Sequence, residues 1–349
     1  MKVSRKYCFE SNLFQKKKTY RYNSTNLIVM LGNGDGTFSM PIIFPLGYIT
    51  SDNSITVIDV NQDTLLDVII INGYTGTVTI ALGNGDGSFR NGSILIMDYC
   101  FSSKEIPVSD FNDDMCSDIA VVCYGDSNAY VYFGNCNGSF PTKLILATEE
   151  KNLPQAIVVA DFNGDEHSDI VINNSRDRTI GVFIGYGNGS FEKQKKSFSG
   201  GGYSVSYMVT DDFNENGNQD IVVLYSATNS FRVLLGHGNG SFSEGARLIV
   251  ESGLISDRIV TKDFNRDGHV DIGIATHHPY TITIYFGNGD GQFQTYILLS
   301  TETVGFENDI IAGDFNGDDY PDIMITDRDF GNVIIRLNTG QCNTSIVLD

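Results

Sequence analysis

The string DFNRDGHVD, opening at Asp263, sets carboxylate and amide oxygens at positions 1, 3, 5 and 9 of one short stretch, with Gly268 at position 6. Hard cations want such a set, calcium taking roughly six to eight oxygens from carboxylates, Asn carbonyls, backbone carbonyls and water. Asp263, Asn265, Asp267 and Asp271 would supply the side-chain oxygens, and His269 at position 7 a backbone carbonyl. Five related strings offer Asp59, Asn61, Asp63 and Asp67; Asp110, Asn112, Asp114 and Asp118; Asp161, Asn163, Asp165 and Asp169; Asp212, Asn214, Asn216 and Asp220; and Asp314, Asn316, Asp318 and Asp322. The competing reading is a turn, since Asp and Asn also shape turns by bonding to nearby backbone. One loop alone leaves the two readings level. Six in register favour calcium, at up to six sites.

The loops differ in detail. Position 6, where a sharp bend favours Gly, is Gly217, Gly268 and Asp319 in three loops but Thr64, Met115 and Glu166 in the others, which should be strained or differently shaped. Asn216 leaves the 212 loop only two carboxylates, Asp212 and Asp220, among its four side-chain ligands, so it should bind most weakly by charge, and the 263 and 314 loops rank first. At positions 1, 5 and 9 the loops place 17 carboxylates, and six divalent ions would bring the formal charge from −20 to −8. Without metal, crowded like charges raise one another's pKa.

What positions these oxygens is a repeat. The acidic strings recur every 51 residues, and so does a second series: LGNGDGTF with Gly32, LGNGDGSF with Gly83, FGNCNGSF with Gly134, IGYGNGSF with Gly185, LGHGNGSF with Gly236 and FGNGDGQF with Gly287. A fixed period of this size signals stacked supersecondary units. Within one unit, 155–161, 169–173 and 179–184 are short β-branched or aromatic runs, and an Asn-Gly turn then leads to a fourth strand near 191–198. With the strands lettered A to D, the acidic loop joins A to B and the Asn-Gly turn joins C to D. Four antiparallel strands per unit, repeated around a ring, predict a β-propeller. C strands ending at Leu31, Leu82, Phe133, Ile184, Leu235, Phe286 and Leu337 predict seven blades, the first degenerate because its slot (CFESNLFQ) keeps no Asp. The chain divides into a basic segment, 1–22, expected to be poorly ordered or a remnant outer strand, and a single propeller, 23–349.

The acidic loops are similar to the first half of an EF-hand loop, but strands rather than helices flank them. Over residues 26–340 the chain resembles FG-GAP-like repeats of the VCBS type, related to the propeller of integrin α subunits. That resemblance implies a seven-bladed propeller with calcium in the A–B loops, in secreted or cell-surface proteins that bind proteins or glycans. At the motif position that opens the Asn-Gly strings, Phe-Gly occurs only as Phe133-Gly134 and Phe286-Gly287, and the Gly-Ala-Pro part is missing. The absence of Trp excludes the WD40 signature.

The pI of 4.5 speaks against nucleic-acid or anionic-membrane partners, and no apolar run is long enough for direct membrane insertion. The reading is a monomer. No catalytic constellation emerges: His167 and His269 lie in the acidic loops, His237 in a turn, and His277 and His278 come with no nucleophile at recognisable spacing. The expected function is therefore non-catalytic, with a propeller-borne hydrolase or lyase as the alternative. Cys8, Cys100, Cys116, Cys123, Cys136 and Cys342 follow no repeated framework, so disulfides and buried thiols stay open, although three share one unit. Sequons at Asn23, Asn91, Asn137, Asn173, Asn188, Asn239 and Asn343 arise partly from the repeat itself. Residues 1–22 carry seven Lys or Arg and no apolar core, which is not a signal peptide. An extracellular or cell-surface fragment lacking its leader, or a cytoplasmic protein, is expected.

The A–B loops and C–D turns share one face and are nearly constant between copies. The B–C loops on the other face vary: NGYTG (72–76), YGDSN (124–128), NSRDR (174–178), SATNS (226–230), HHPYT (277–281) and DRDFG (327–331). Variable loops on a rigid frame are where recognition concentrates. Arg176, Arg178, His277, His278, Tyr280, Arg328 and Phe330 are candidate contacts to an unidentified protein or glycan, against the alternative that each is merely solvated.

Overall fold

A computed structural model describes residues 7–10, 26–35, 37–45, 53–72, 75–97, 105–148, 152–198, 205–250, 254–277, 281–300, 310–327 and 332–338. The described elements are almost wholly β-strands, and every pairing is antiparallel between consecutive strands. An N-terminal sheet contains β1 (Tyr7–Glu10), β2 (Asn26–Leu31) and β3 (Ile42–Pro45). The 59 blade follows with β4 (Asn53–Ile58), β5 (Asp67–Asn72), β6 (Thr77–Gly83) and β7 (Phe89–Ile96). The 110 blade has β8 (Val108–Ser109), β9 (Asp118–Cys123), β10 (Asn128–Phe133) and β11 (Thr142–Ala147). The 161 blade has β12 (Ile157–Ala160), β13 (Asp169–Asn174), β14 (Thr179–Phe183) and β15 (Lys195–Phe198), close to the runs read from sequence. The 212 blade has β16 (Tyr207–Asp211), β17 (Asp220–Tyr225), β18 (Ser230–Gly236) and β19 (Phe242–Ile249). The 263 blade has β20 (Leu254–Lys262), β21 (Asp271–His277), β22 (Thr281–Gly287) and β23 (Phe293–Ser300), and the 314 blade β24 (Ile310–Gly313), β25 (Asp322–Asp327) and β26 (Asn332–Arg336).

The fold is a β-propeller of four-stranded antiparallel blades, and the expected count of seven is corrected to six. Six sheets open on an acidic A–B loop, the 314 blade showing three strands among the described residues. The N-terminal sheet is built differently. Its β1, from the basic segment, pairs with the C-type strand β2, and residues 1–25 contain no Asp from which an acidic A–B loop could be built. The rest of segment 1–22 lies outside the described residues.

The core is distributed between neighbours rather than gathered at one centre. B and C strands alternate apolar side chains to both sheet faces, so Val171 and Val182 face the 212 blade while Ile170, Ile172 and Phe183 face the 110 blade. Each successive pair of sheets encloses one such cluster, beginning with Leu27 and Val29 against Val68 and Ile70. The repeat strings supply a second tie. Phe at position 2 of an acidic loop packs on the Phe ending the next blade's C–D turn: Phe111 on Phe191, Phe162 on Phe242 and Phe213 on Phe293, at centroid distances of 5.8, 5.5 and 6.1 Å. Phe315 meets Phe38 in the same way at 6.4 Å, bringing the N-terminal sheet against the 314 blade. Among the described residues no helix is long and apolar enough to cross a membrane.

Candidate metal centres

Each acidic loop is a nine-residue A–B hairpin folded by its own carboxylates. Asp at position 1 accepts the position-5 N–H on Oδ1 and the position-6 N–H on Oδ2, as in Asp63 N to Asp59 (3.2 Å) and Thr64 N to Asp59 (2.7 Å). Asn at position 3 accepts the position-5 N–H, and the position-5 oxygen accepts the position-7 N–H. The same set recurs in the 263 loop, where Asp267 N and Gly268 N donate to Asp263 and His269 N to Asp267. In the 212 loop Asn216 takes the Asp role at position 5, receiving Asn218 N at 2.8 Å.

Position 6 adopts a left-handed conformation in all six loops, with φ of 68° at Thr64, 65° at Met115, 68° at Glu166, 81° at Gly217, 93° at Gly268 and 70° at Asp319. The non-glycine loops therefore keep one shape and carry backbone strain within it. Position 4 is left-handed too, at Gln62, Asp113, Gly164, Glu215, Arg266 and Gly317, which the residue types alone do not reveal.

Asp at position 9 lies deepest. Asp67, Asp118, Asp169, Asp220, Asp271 and Asp322 are each 0% exposed, whereas the position-5 oxygens reach solvent. Asp169 Oδ2 accepts Phe162 N at 2.8 Å, and Oδ1 accepts Gly185 N at 2.8 Å, so one carboxylate binds loop to C strand. Burial pushes Asp118, Asp169 and Asp220 up to about 6 and Asp271 up to about 7; the two N–H donors oppose the shift, and the other acids of the loop add to it. Asp67 and Asp322 shift upward for the same reason.

Glycine at the C-strand end permits this clamp, because a β-carbon on Gly185 would overlap the Ser168 carbonyl oxygen. In the 314 blade the place falls to Asn338, which keeps the N–H bond to Asp322 (2.7 Å) and donates Nδ2 to the Phe264 carbonyl (2.7 Å). Position 7 rests on the C–D turn: Leu65 near Gly85, His167 near Gly187, His269 near Gly289. The 110 blade has a covalent version, the Cys116–Cys136 disulfide. Cys123 is disulfide-bonded as well. Asn173, a sequon residue, is 0% exposed and accepts Gln155 N and Ala156 N, so it is a structural amide.

The loops thus bring positions 1, 3, 5 and 9 onto one hairpin, all with oxygen donors. Among the described residues, no three acidic, His or Cys side chains stand close enough to form a ready cation cage. The donor chemistry nevertheless fits a hard cation: a carboxylate oxygen that accepts one N–H retains a second lone pair, and each loop concentrates negative charge beside a buried carboxylate. Of the candidate partner contacts, Arg176 and Arg178 are exposed on the turn between β13 and β14. His278, Tyr280, Arg328 and Phe330 lie outside the described residues, and His277 is placed as the end of β21.

The FG-GAP-like repeat model matches residues 110–172, 161–223, 212–274 and 263–325, more than half of the chain. The chain belongs to the FG-GAP-like repeat family. No curated protein matches it. Solved structures with this fold include a lectin of Agrocybe aegerita described as recognising non-reducing terminal N-acetylglucosamine, 16% identical, with a TM-score of 0.64 over 93% of this chain and 88% of that one. A putative 6-phosphogluconolactonase from Bacteroides fragilis is 10% identical, with a TM-score of 0.68 over 99% and 94% of the two chains. A functionally unknown protein from Desulfotomaculum acetoxidans is 14% identical, with a TM-score of 0.57 over 89% and 91%. At these identities the likeness of an FG-GAP-like repeat chain to such structures concerns the fold alone.

Proposed function

We propose that this protein is a non-catalytic, calcium-stabilised interaction module that binds a protein or glycan through its B–C loops. The observation that carries the reading is a contrast between the two faces. All six A–B loops repeat one hydrogen-bond set, whereas the B–C turns repeat only a backbone shape. Gly76, Ser127, Arg178 and Asn229 occupy equivalent places at φ of 63°, 60°, 57° and 46°, with four different side chains. Around them the contacts also differ: Tyr130 OH donates to Asp126, Lys196 pairs with Asp177 at 2.5 Å, and Ser226–Thr228 forms a 3₁₀ turn. A fixed scaffold displaying varied side chains suits recognition.

Calcium held by positions 1, 3, 5 and 9 would set the A–B hairpins and leave the opposite face to the partner. The fold likeness to a glycan-recognising lectin is compatible with a glycan ligand and does not choose between glycan and protein. The test is an array of immobilised glycans and extracellular proteins probed with the whole chain in calcium and again in chelator. Ligand capture that Arg176→Ala and Arg178→Ala abolish, with an unchanged melting temperature, supports the reading. Capture indifferent to every B–C substitution, or turnover of a bound ester or glycoside, sinks it.

A further inference from the structure

Neighbouring A–B loops are bridged by side chains, and among the described residues the 161–212 seam lacks such a bridge. Gln62 Nε2 donates to the Met115 carbonyl at 2.7 Å, Asp113 pairs with His167 at 3.2 Å, Glu215 pairs with His269, and the Arg266 guanidinium lies 4.5 Å from the Tyr320 ring centroid. Every bridge starts from position 4 of one loop and ends at position 6 or 7 of the next. In the 161 loop position 4 is Gly164, which has nothing to send across. A cleft of about 370 Å³ opens at this seam, and Asp161, Gly164, Thr210, Asn218 and Gly238 line it.

The walls of the cleft are rich in acceptors. A β-carbon on Gly164 would lie 4.0 Å from the Gly238 carbonyl oxygen, so that oxygen faces the place of the missing bridge. A β-carbon on Gly238 would overlap Asn218 Oδ1, which puts a second acceptor on the same wall. The Asp161 carboxylate lies at the rim with its oxygens already taken by N–H groups of its own loop, and no Lys or Arg is among the lining residues. At the 59 seam the equivalent space is filled by a donor, the Gln62 amide reaching a backbone carbonyl. We propose that the 161–212 cleft takes the guanidinium of an arginine in a basic peptide, which supplies from outside the donor that Gly164 does not. A guanidinium carries five N–H groups in a rigid fork, enough to meet several acceptors at once. The chain's formal charge of −20 draws basic peptides toward it, and −8 with six divalent ions keeps the same sign. The cleft lies on the A–B face, so it is a second site, apart from the B–C loops.

The test titrates a fluorescent tetra-arginine peptide onto the full chain by anisotropy, with a tetra-glutamate peptide as comparison. Gly164→Gln installs the residue that the 59 loop carries, and the backbone accepts it because Gln62, Asp113, Glu215 and Arg266 already adopt φ of 55–61° at this position. Asn218→Lys instead places a cation of the chain's own in the cleft. The expected result is binding of tetra-arginine at least tenfold tighter than tetra-glutamate, weakened at least tenfold by either variant and unchanged by Arg178→Ala on the opposite face. Equal binding by wild type and both variants, no preference for arginine, or displacement by neutral monosaccharide at equal concentration would overturn the proposal. Melting temperatures of both variants check that loss of binding is not loss of fold.

Discussion

Asp169 and its five counterparts combine an energetic cost with a structural need. Each is fully buried, yet each accepts one N–H from its own loop and one from the end of the C strand. Asp169→Ala strands two buried donors, Phe162 N and Gly185 N, at a cost of about 2–5 kcal/mol, which urea unfolding would register. The pH dependence has a definite sign. The folded pKa of Asp118, Asp169 and Asp220 is pushed to about 6 and that of Asp271 to about 7, above the ordinary carboxylate value of 3.8. Folding therefore takes up protons between these limits, and stability falls as pH rises through that window. Chelator-treated protein should show its urea midpoint dropping between pH 4 and pH 7, and a rising midpoint would contradict the assignment. Calcium should flatten the slope, since a divalent ion favours the ionised carboxylates.

At the scale of the hairpin, the two repeated strings act as one device. The A–B loop contributes the clamp carboxylate and a Phe; the C–D turn contributes the glycine that admits the clamp and the Phe that meets the previous blade. Gly185→Ala forces a β-carbon into the Ser168 carbonyl, which is backbone and cannot swing away, so this variant should express as insoluble or grossly destabilised protein. Gly268→Ala meets no atom within 4 Å and pays only for its φ of 93°, about 1 kcal/mol. Soluble expression and thermal melts of the two separate steric overlap from conformational strain. The 110 blade offers a third case. Cys116→Ser with Cys136→Ser removes a crosslink closing about 20 residues, worth about 3 kcal/mol, whereas Cys116→Leu with Cys136→Gly rebuilds the packing of Leu65 on Gly85 and should recover part of the loss in a urea melt.

These elements also mark how far the sequence could be read. Strands, turns and acidic loops followed from β-branched runs bounded by Gly and Asn, because both signals are local. The role of Phe162 was not legible: its partner, Phe242, belongs to the next repeat, and periodicity within a unit does not tell which neighbour a side chain meets. Position 4 stayed hidden for a related reason. Gln62 and Arg266 differ in chemistry from the acids Asp113 and Glu215, and what all four share is a conformation and a place at a seam. Asn338 escaped notice as well, since it breaks the glycine series yet satisfies the same carboxylate through its backbone.

For the molecule as a whole, stability resides in seams between sheets, each with its own apolar cluster. Six loops each holding calcium at an affinity of roughly 10⁻⁴ to 10⁻³ M would add about 1 kcal/mol apiece at several-fold excess. Chelation is thus expected to lower the melting temperature substantially and reversibly; a melt unmoved by chelator would refute calcium-dependent cohesion. The blade count could not be settled from C strands alone, because a C strand does not guarantee an A–B loop ahead of it. The seam bridges bear on how such arrays arise by tandem duplication. A freshly copied repeat would present identical edges to every neighbour, but here Asp113 answers His167 and Arg266 answers Tyr320. Moving a repeat between the Arg266–Tyr320 seam and an acid–His seam would juxtapose unmatched groups, whereas the Asp113–His167 and Glu215–His269 seams carry interchangeable edges.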